Sequence, residues 1–390
     1  MIGFVFGGFS CGSTGNVLNF RLKSEFQSSL KCNTHRFRIP MKTQKCQKLV
    51  RNLTSNDGES EEERLLRDKE AMEFMKRKSE FELEQLSSSK SSKDAADARY
   101  KPNSASAWKW EIRYKVWDLL MELKLARNPM PVHHRIPNFE GAEIAANRLL
   151  TEVEEFQSAR CIKVNPDSPQ RAVRYNVLNE SKLLLCPQPR LRTGFFSELS
   201  KEWIPSQELL SACSAKGFGK YGKPLSLNEM RDLDENGKNN RLIVDCIVVG
   251  SVAVASNGSR IGKGEGFAEL EYGILRLLGS IDENTPVITV VHDVQVMDDA
   301  LMPLERMGEH DVPVDIIVTP TRVIRVNESA KKKKPNGVLW NLLSPQKLAQ
   351  IRVLQQLKKS IEDEQGIMLP SGPEETLPPT ATRGAKPKRQ

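Results

Sequence analysis

The sequence predicts an α/β domain with a mostly parallel sheet, and three observations carry that expectation. Apolar runs of strand length recur at residues 161–164, 182–186, 243–249, 286–291 and 314–318. Helically spaced apolar residues fill segments between and around them, at 142–156, 173–180 and 268–278. Strands that alternate with helices build βαβ units, whose strands run parallel. The third observation is one continuous stretch, 243–279: an apolar strand, an Asn257-Gly258 turn, a glycine loop and a helix. Ligands of open α/β sheets sit beyond the carboxyl ends of the strands, so this loop marks where a site would lie.

The chain of 390 residues is long enough for one large core, and its apolar residues are unevenly spread. This predicts one domain with long polar flanks. The net charge of +8 comes largely from the two ends and says little about the ligand of the core. Seven cysteines, an odd number with no CxxC pair, indicate neither a zinc site nor a disulfide framework and read as reduced, buried thiols. No apolar run approaches the 18 residues that a membrane-spanning helix needs.

Residues 1–53 carry nine Lys and Arg against one acid, Glu25, with frequent serines. That is the composition of an organellar transit peptide; we expect the chloroplast stroma, with the mitochondrion as second choice. Residues 54–104 predict a charged helix over 59–86, either solvated or docked on a protein partner, and then a Ser-rich linker at 87–92. The folded domain is expected over 105–327.

The helix from Trp108 to Lys124 places Trp110, Tyr114, Trp117, Leu120 and Met121 on one face. Lys109 and Arg113, one turn apart, share another face, which is either a solvated basic surface or a grip for a polyphosphate. Asn138 to Gly141 is a loop that opens a helix over 142–156. Cys161–Val164 is a strand, with the turn cluster Asn165-Pro166-Asp167-Ser168-Pro169 after it. The strand 182–186 ends in Pro187-Gln188-Pro189-Arg190-Leu191-Arg192, held extended by its prolines. Residues 205–241 read as a polar surface insertion.

The loop Arg260-Ile261-Gly262-Lys263-Gly264-Glu265-Gly266-Phe267 has glycine at every second position. Such backbone reaches positive φ and presents N–H groups without Cβ atoms in the way. A helix starting at about Ala268 would set its N-terminus behind the same site. The loop matches neither of the two common nucleotide motifs, so it is either a tight structural turn or a phosphate cradle. His292-Asp293 ends another strand and is expected on the same rim. Further strands are expected at 314–318 and 322–326. Residues 328–390 read as a basic run at 331–334, a helix over 344–364 and a Pro-rich basic, disordered tail. With no RNP-type strand or zinc finger, nucleic acid is not an expected partner.

Between Trp108 and Val326 the chain resembles the 5-formyltetrahydrofolate cyclo-ligase (methenyltetrahydrofolate synthetase) family, in a divergent, plastid-targeted branch. The resemblance rests on Lys109-x-x-x-Arg113, Asn138-Phe139-Glu140-Gly141-Ala142, Asn165-Pro166-Asp167, Pro189-Arg190-Leu191-Arg192, the loop 260–267, and Glu309-His310-Asp311 with Asp315. It implies a Rossmann-like three-layer α/β/α domain and an ATP- and Mg2+-dependent reaction. In that reaction the formyl oxygen of a folate attacks the γ-phosphate, and the phosphorylated intermediate cyclises with loss of phosphate. The resemblance further implies that Lys109, Arg113, Gly262, Lys263, Gly264 and Gly266 hold the nucleotide. Arg260 and Glu269 would be catalytic, Glu140, Glu143 and Phe267 would meet the folate, and Glu269 and Asp311 would hold the metal.

The family loop usually reads R-L-G-[RK]-G-x-G-Y-Y-D, with a Lys between the second and third glycines. Here that Lys is Glu265, and Tyr-Tyr-Asp is Phe267-Ala268-Glu269. A carboxylate beside phosphate oxygens is repulsive unless a cation lies between. The branch is linked to cofactor metabolism, including thiamin. The expectation is therefore ATP-dependent conversion of an N-formyl folate or related N-acyl metabolite, or a folate- or nucleotide-binding protein without that activity.

Overall fold

The structure, a computed structural model, describes residues 61–91, 104–188, 191, 194–231, 241–329 and 331–375. The expected transit peptide, Arg190, Arg192 and the end of the Pro-rich tail lie outside these residues. The chain divides into two compact units, and every described residue belongs to the second, 59–390.

Among the described residues, thirteen short strands form in chain order: β1 (Ala126–Arg127), β2 (Asn138–Phe139), β3 (Cys161–Val164), β4 (Leu183–Pro187), β5 (Phe196–Leu199), β6 (Lys223–Leu225), β7 (Cys246–Val249), β8 (Ala253–Ala255), β9 (Arg260–Ile261), β10 (Val287–Val290), β11 (Val296–Met297), β12 (Ile316–Val318) and β13 (Val323–Arg325). Eight of them make the main sheet, in the order β13-β12-β10-β7-β3-β4-β5-β6. Its middle is parallel, through the pairs β12/β10, β10/β7, β7/β3 and β3/β4. The edges are antiparallel: β13 on one side, β5 and β6 on the other.

Strand residues alternate between two cores, as a two-residue side-chain period requires. Ile162, Val164, Cys246, Val248, Ile288, Val290, Ile316 and Val318 face the first core. Cys161, Ile247, Val249, Val287 and Ile317 face the second. The first core is covered by α2 (Ser104–Glu122), α3 (Ala142–Glu152) and α4 (Arg171–Asn179). The second is covered by α5 (Phe267–Leu278) and by α7 (Arg352–Gln365). This is the expected three-layer α/β/α architecture. α5 ends at Gly279 in the left-handed region at φ 66°, where its N–H caps the last turn.

Several expectations change. The helix expected over 142–156 breaks at Val153, whose extended backbone (φ −117°, ψ 103°) separates α3 from a short helix at Glu154–Ser158. Of the stretch 205–241, the described part 205–231 is not a surface insertion. It supplies edge strand β6 and buries Leu209, Cys213, Phe218 and Met230. Its apolar residues obey no single period, so pattern reading passed over them and over β5.

Both flanks also join the fold. Helix α1 (Glu61–Ser91) extends through most of the serine run read as a linker, and it packs on α2 of the same chain. Met75 is buried there, the Ser79 hydroxyl lies 2.7 Å from that of Tyr114, and Trp110 Nε1 donates to Glu82 at 2.7 Å. Beyond 327, Trp340, Ile351, Leu354, Leu357 and Ile361 belong to the second core. The basic run is pinned down too: Lys331 and Lys334 pair with Asp315, and Lys332 donates to the Gly308 carbonyl. Sequence reading treated these as a solvated tail because its charged residues outnumber the apolar ones that α7 turns inward.

Candidate functional site

The order of connection reverses between β3 and β7: the chain runs outward from β3 to β4, and from β7 through β10 to β12 on the other side. A crevice at the carboxyl ends of the strands at such a switch point is the ligand site of open α/β sheets. A cavity of about 500 Å³ lies there, within the range of small-molecule sites. Its floor is made by the segments at the strand ends: Asn165 to Ser168 after β3, Pro187 and Gln188 at the end of β4, and Gly250 after β7.

The glycine loop forms one wall. Gly264 and Gly266 have φ of 97° and 73°, a region that L side chains rarely adopt. A Cβ on Gly264 would stand 2.9 Å from the Trp110 ring and 3.4 Å from Arg113 Cζ. Gly266 is the N-cap of α5 and offers no side chain to the first-turn N–H groups, which leaves them for an anion.

Cations converge on this wall. Lys109 and Arg113 are both buried and line the cavity, so the solvated-face reading of their helix is set aside. The packing of Trp108, Ile112, Val116 and Trp117 turns that face inward, whereas Met121 of the expected apolar face is exposed. Arg113 stacks on Trp110, 4.2 Å from Cζ to the ring centroid, and its Nε donates to the Gly262 carbonyl at 2.8 Å. No carboxylate among the described residues is in ion-pair range of Arg113. Burial pulls its pKa down to about 10 against the opposing charges of Glu82, Glu269 and Asp311, so at neutral pH it stays a cation.

The other cations are paired. Arg260, buried in β9, donates to the Gly250 carbonyl at 3.1 and 3.2 Å and to Glu269 Oε1 at 2.5 Å. Burial raises the Glu269 pKa, but the Arg260 charge and hydrogen bond outweigh it and hold the carboxyl below its usual range. Lys109 Nζ lies 2.5 Å from Asp311 Oδ2, which also accepts the Gly308 N–H at 2.6 Å. The two carboxylates expected to hold a metal are thus each neutralised by a cation of the chain, and no cluster of three metal-ligating side chains occurs among the described residues. Glu265 is paired with Lys263 at 2.8 Å, so the cation that offsets its charge is a side chain of the same loop. Phe267 lines the cavity beneath Lys347 of α6 (Pro345–Gln350), whose Nζ is 4.2 Å from the ring and donates to the Glu265 carbonyl at 2.7 Å.

The structure therefore brings together Lys109, Arg113, Arg260, Gly262, Lys263, Gly264, Gly266, Phe267, Glu269 and Asp311. Glu140 and Glu143 are elsewhere: both are exposed and neither lines the cavity. Glu140 faces Arg127 at 2.6 Å across the β1/β2 ribbon, because β2 turns its side chain outward before α3 begins. His292 and Asp293 also miss the rim. His292 caps the turn after β10 and packs on Phe139, while Asp293 accepts from Thr319 and Thr321.

Sequence reasoning missed other lining groups. Asp167 is half-buried beside Gly250, and desolvation raises its pKa. Glu271 is held by Lys163 of β3 at 2.5 Å, a lysine hidden in an apolar run. Met72, Met75, His134, Arg135 and Ile136 close the side nearest α1. Asp167 stood in the quoted Asn165-Pro166-Asp167 turn without a role assigned to it, and the groups at α1 carried no signal, because α1 and the loop of 128–137 meet only in three dimensions.

Fold and site together define an α/β protein with a crevice lined by cations and a glycine loop at its topological switch point. Comparison with known proteins makes this specific. The model of the 5-formyltetrahydrofolate cyclo-ligase family matches residues 105–320. The "Methenyltetrahydrofolate synthase domain-containing protein" of Bos taurus is 40% identical over 285 residues, 72% of this chain and 70% of that one. The zebrafish (Danio rerio) protein of the same description is 42% identical over 259 residues, 66% of this chain and 63% of that one. A solved structure of Aquifex aeolicus 5,10-methenyltetrahydrofolate synthetase aligns with 56% of this chain and 93% of its own, at 20% identity and a TM-score of 0.33. The chain belongs to the 5-formyltetrahydrofolate cyclo-ligase family.

Proposed function

We propose that the chain is an ATP-dependent cyclo-ligase-type enzyme acting on an N-formyl folate or a related N-acyl cofactor metabolite through a phosphorylated intermediate. The observation that carries this reading is Arg113, a buried cation with no carboxylate partner among the described residues, aimed with Lys109 at a glycine loop and a helix N-terminus. The carboxylates whose charge it feels, Glu82, Glu269 and Asp311, contact Trp110, Arg260 and Lys109 instead, so this guanidinium has room for an anion from outside. A triphosphate fits: it meets cations, free backbone N–H groups and no Cβ at Gly264 or Gly266.

Bound Mg-ATP would supply the phosphoryl group that the formyl oxygen accepts. The residues of the chain position and neutralise, which is most of what phosphoryl transfer asks of a protein. Arg113 and Lys109 would take phosphate charge. Arg260 is fixed by the Gly250 carbonyl and by Glu269, so it meets developing charge without reorganising. Mg2+ usually keeps waters and phosphate oxygens and needs only one or two carboxylates; Asp311 or Glu269 would provide one by exchanging its present cation, Lys109 or Arg260, for the metal. Met72 and Met75 would keep water from the acyl group.

A second reading has its own observation. Phe267 and Ala268 stand where the family has two tyrosines, and Lys347 covers Phe267. A protein so altered would bind nucleotide or folate without cyclo-ligase turnover. We place either form in the chloroplast, in folate- or thiamin-related metabolism, on the composition of residues 1–53. A fluorescent fusion carrying that segment, imaged in plant cells, tests the location.

The test of function is calorimetric titration of the full chain with Mg-ATP, alone and with 5-formyltetrahydrofolate, together with phosphate release. Binding of Mg-ATP, weakened at least tenfold in Arg113→Ala, is expected, with phosphate release on adding the folate. No nucleotide binding by the unaltered chain would remove the enzyme reading. Binding without release would favour the second.

A further inference from the structure

Beside Arg113 and Arg260 the cavity holds a third guanidinium, which the nucleotide reading does not use. Arg135 lines it from the loop after Val132, and that loop closes over the switch point: Ile136 is 3.1 Å from where a Cβ of Gly250 would sit. The Arg135 carbonyl is tied to Trp117 Nε1 at 3.1 Å, which fixes the backbone. Its side chain is poorly satisfied. Nη2 donates to the Met72 thioether at 3.1 Å, a weak acceptor, and Nε is buried with no partner. No carboxylate among the described residues is in ion-pair range of it. Around it stand Met72, Met75, His134 and Ile136, a largely apolar surface about a charged guanidinium. The two methionines come from α1, which lies outside the family match of 105–320.

We infer that the wall formed by α1 and the 134–136 loop seats the acyl-bearing substrate, and that this substrate carries an oxyanion, a carboxylate, which Arg135 receives. The inference rests on the proposed function for its division between nucleotide and acyl partner. A guanidinium facing thioethers gains most from a planar two-oxygen anion, which it can grip with two parallel hydrogen bonds. Polarisable methionines accommodate a flat ring beside it. Nucleotide phosphate is the other source of an oxyanion, and the experiment separates the two.

The probes are Mg-ATP, 5-formyltetrahydrofolate and the neutral bis-amide of its glutamate, each titrated into the full chain and into Arg135→Gln and Arg135→Lys. The unaltered chain is expected to bind the folate at least tenfold more tightly than its bis-amide. Arg135→Gln is expected to erase that preference and leave Mg-ATP affinity unchanged, and Arg135→Lys to keep part of the preference. Equal binding of folate and bis-amide by the unaltered chain, including no binding of either, overturns the inference, whatever Mg-ATP does. A preference that survives Arg135→Gln, or a loss of Mg-ATP affinity in that variant, overturns it too. Failure of Mg-ATP to bind the unaltered chain counts separately, against the proposed function.

Discussion

Gly264→Ala should damage this protein far more than Gly266→Ala, although the two glycines sit in one loop and both have positive φ. An L residue held in the left-handed region costs about 1–2 kcal/mol, and both variants bear that cost. They differ in what the new methyl group meets. At Gly266 the new methyl would meet nothing within 4 Å beyond its own chain neighbours. At Gly264 the methyl would lie 2.9 and 3.1 Å from two atoms of the Trp110 ring. That ring cannot step aside freely: it is 2% exposed, stacked under Arg113 and hydrogen-bonded to Glu82. Overpacking at such a position adds about 1–3 kcal/mol, so Gly264→Ala should lose about 2–5 kcal/mol in all. It should also displace Arg113 and weaken Mg-ATP. Urea unfolding of the two variants, with calorimetric titration of Mg-ATP, measures both effects. Equal unfolding midpoints would refute the reasoning, because they would show that the Trp110 ring yields without cost.

Two further outcomes are expected. Leu357→Ala in α7 removes a side chain that is 1% exposed in the second core and should cost about 2–5 kcal/mol; a chain cut after 327 should then fail to unfold cooperatively in urea, and a midpoint equal to that of the full chain would show that the C-terminal segment is not core. His134 is held neutral by burial first, then by the charges of His133, Lys76 and Arg113, which bring its pKa down from 6.5 to about 4. The unfolded chain therefore takes up a proton that the folded one refuses, so stability falls as pH drops from about 6.5 towards 4 and is full above that window. His134→Phe should flatten this slope in urea midpoints measured between pH 7.5 and 4.5, and an unchanged slope would assign it to other groups.

The layers of the domain and the main anchor of its site could be read from the chain before any folding. Strands β3, β4, β7, β10 and β12 were legible because parallel strands buried on both faces read as short continuous apolar runs, whatever surrounds them. The helix after the glycine loop was legible because Gly266 and Gly279 bound it with backbone conformations that only local sequence supplies. The pairing of Lys109 with Arg113 came from the geometry of one helical turn.

Which faces are wet was settled only by the assembled fold. By local pattern Lys109 and Arg113 were either a solvated pair or a polyphosphate grip, and the burial of α2 chose between them. Lys331 to Lys334 looked like a basic surface until Asp315 was placed between two of them. Glu140 looked like a substrate ligand until β2 turned it to solvent. The Glu265 charge found its partner in Lys263, two residues away, only through the fold of the loop. Burial and ion pairing depend on what folding brings to a residue, whether from the same loop, as Lys263 to Glu265, from 202 residues away, as Asp311 to Lys109, or, like α1, from outside the matched domain. A local pattern fixes the direction of a side chain along its own element, and the rest of the chain decides what that side chain meets.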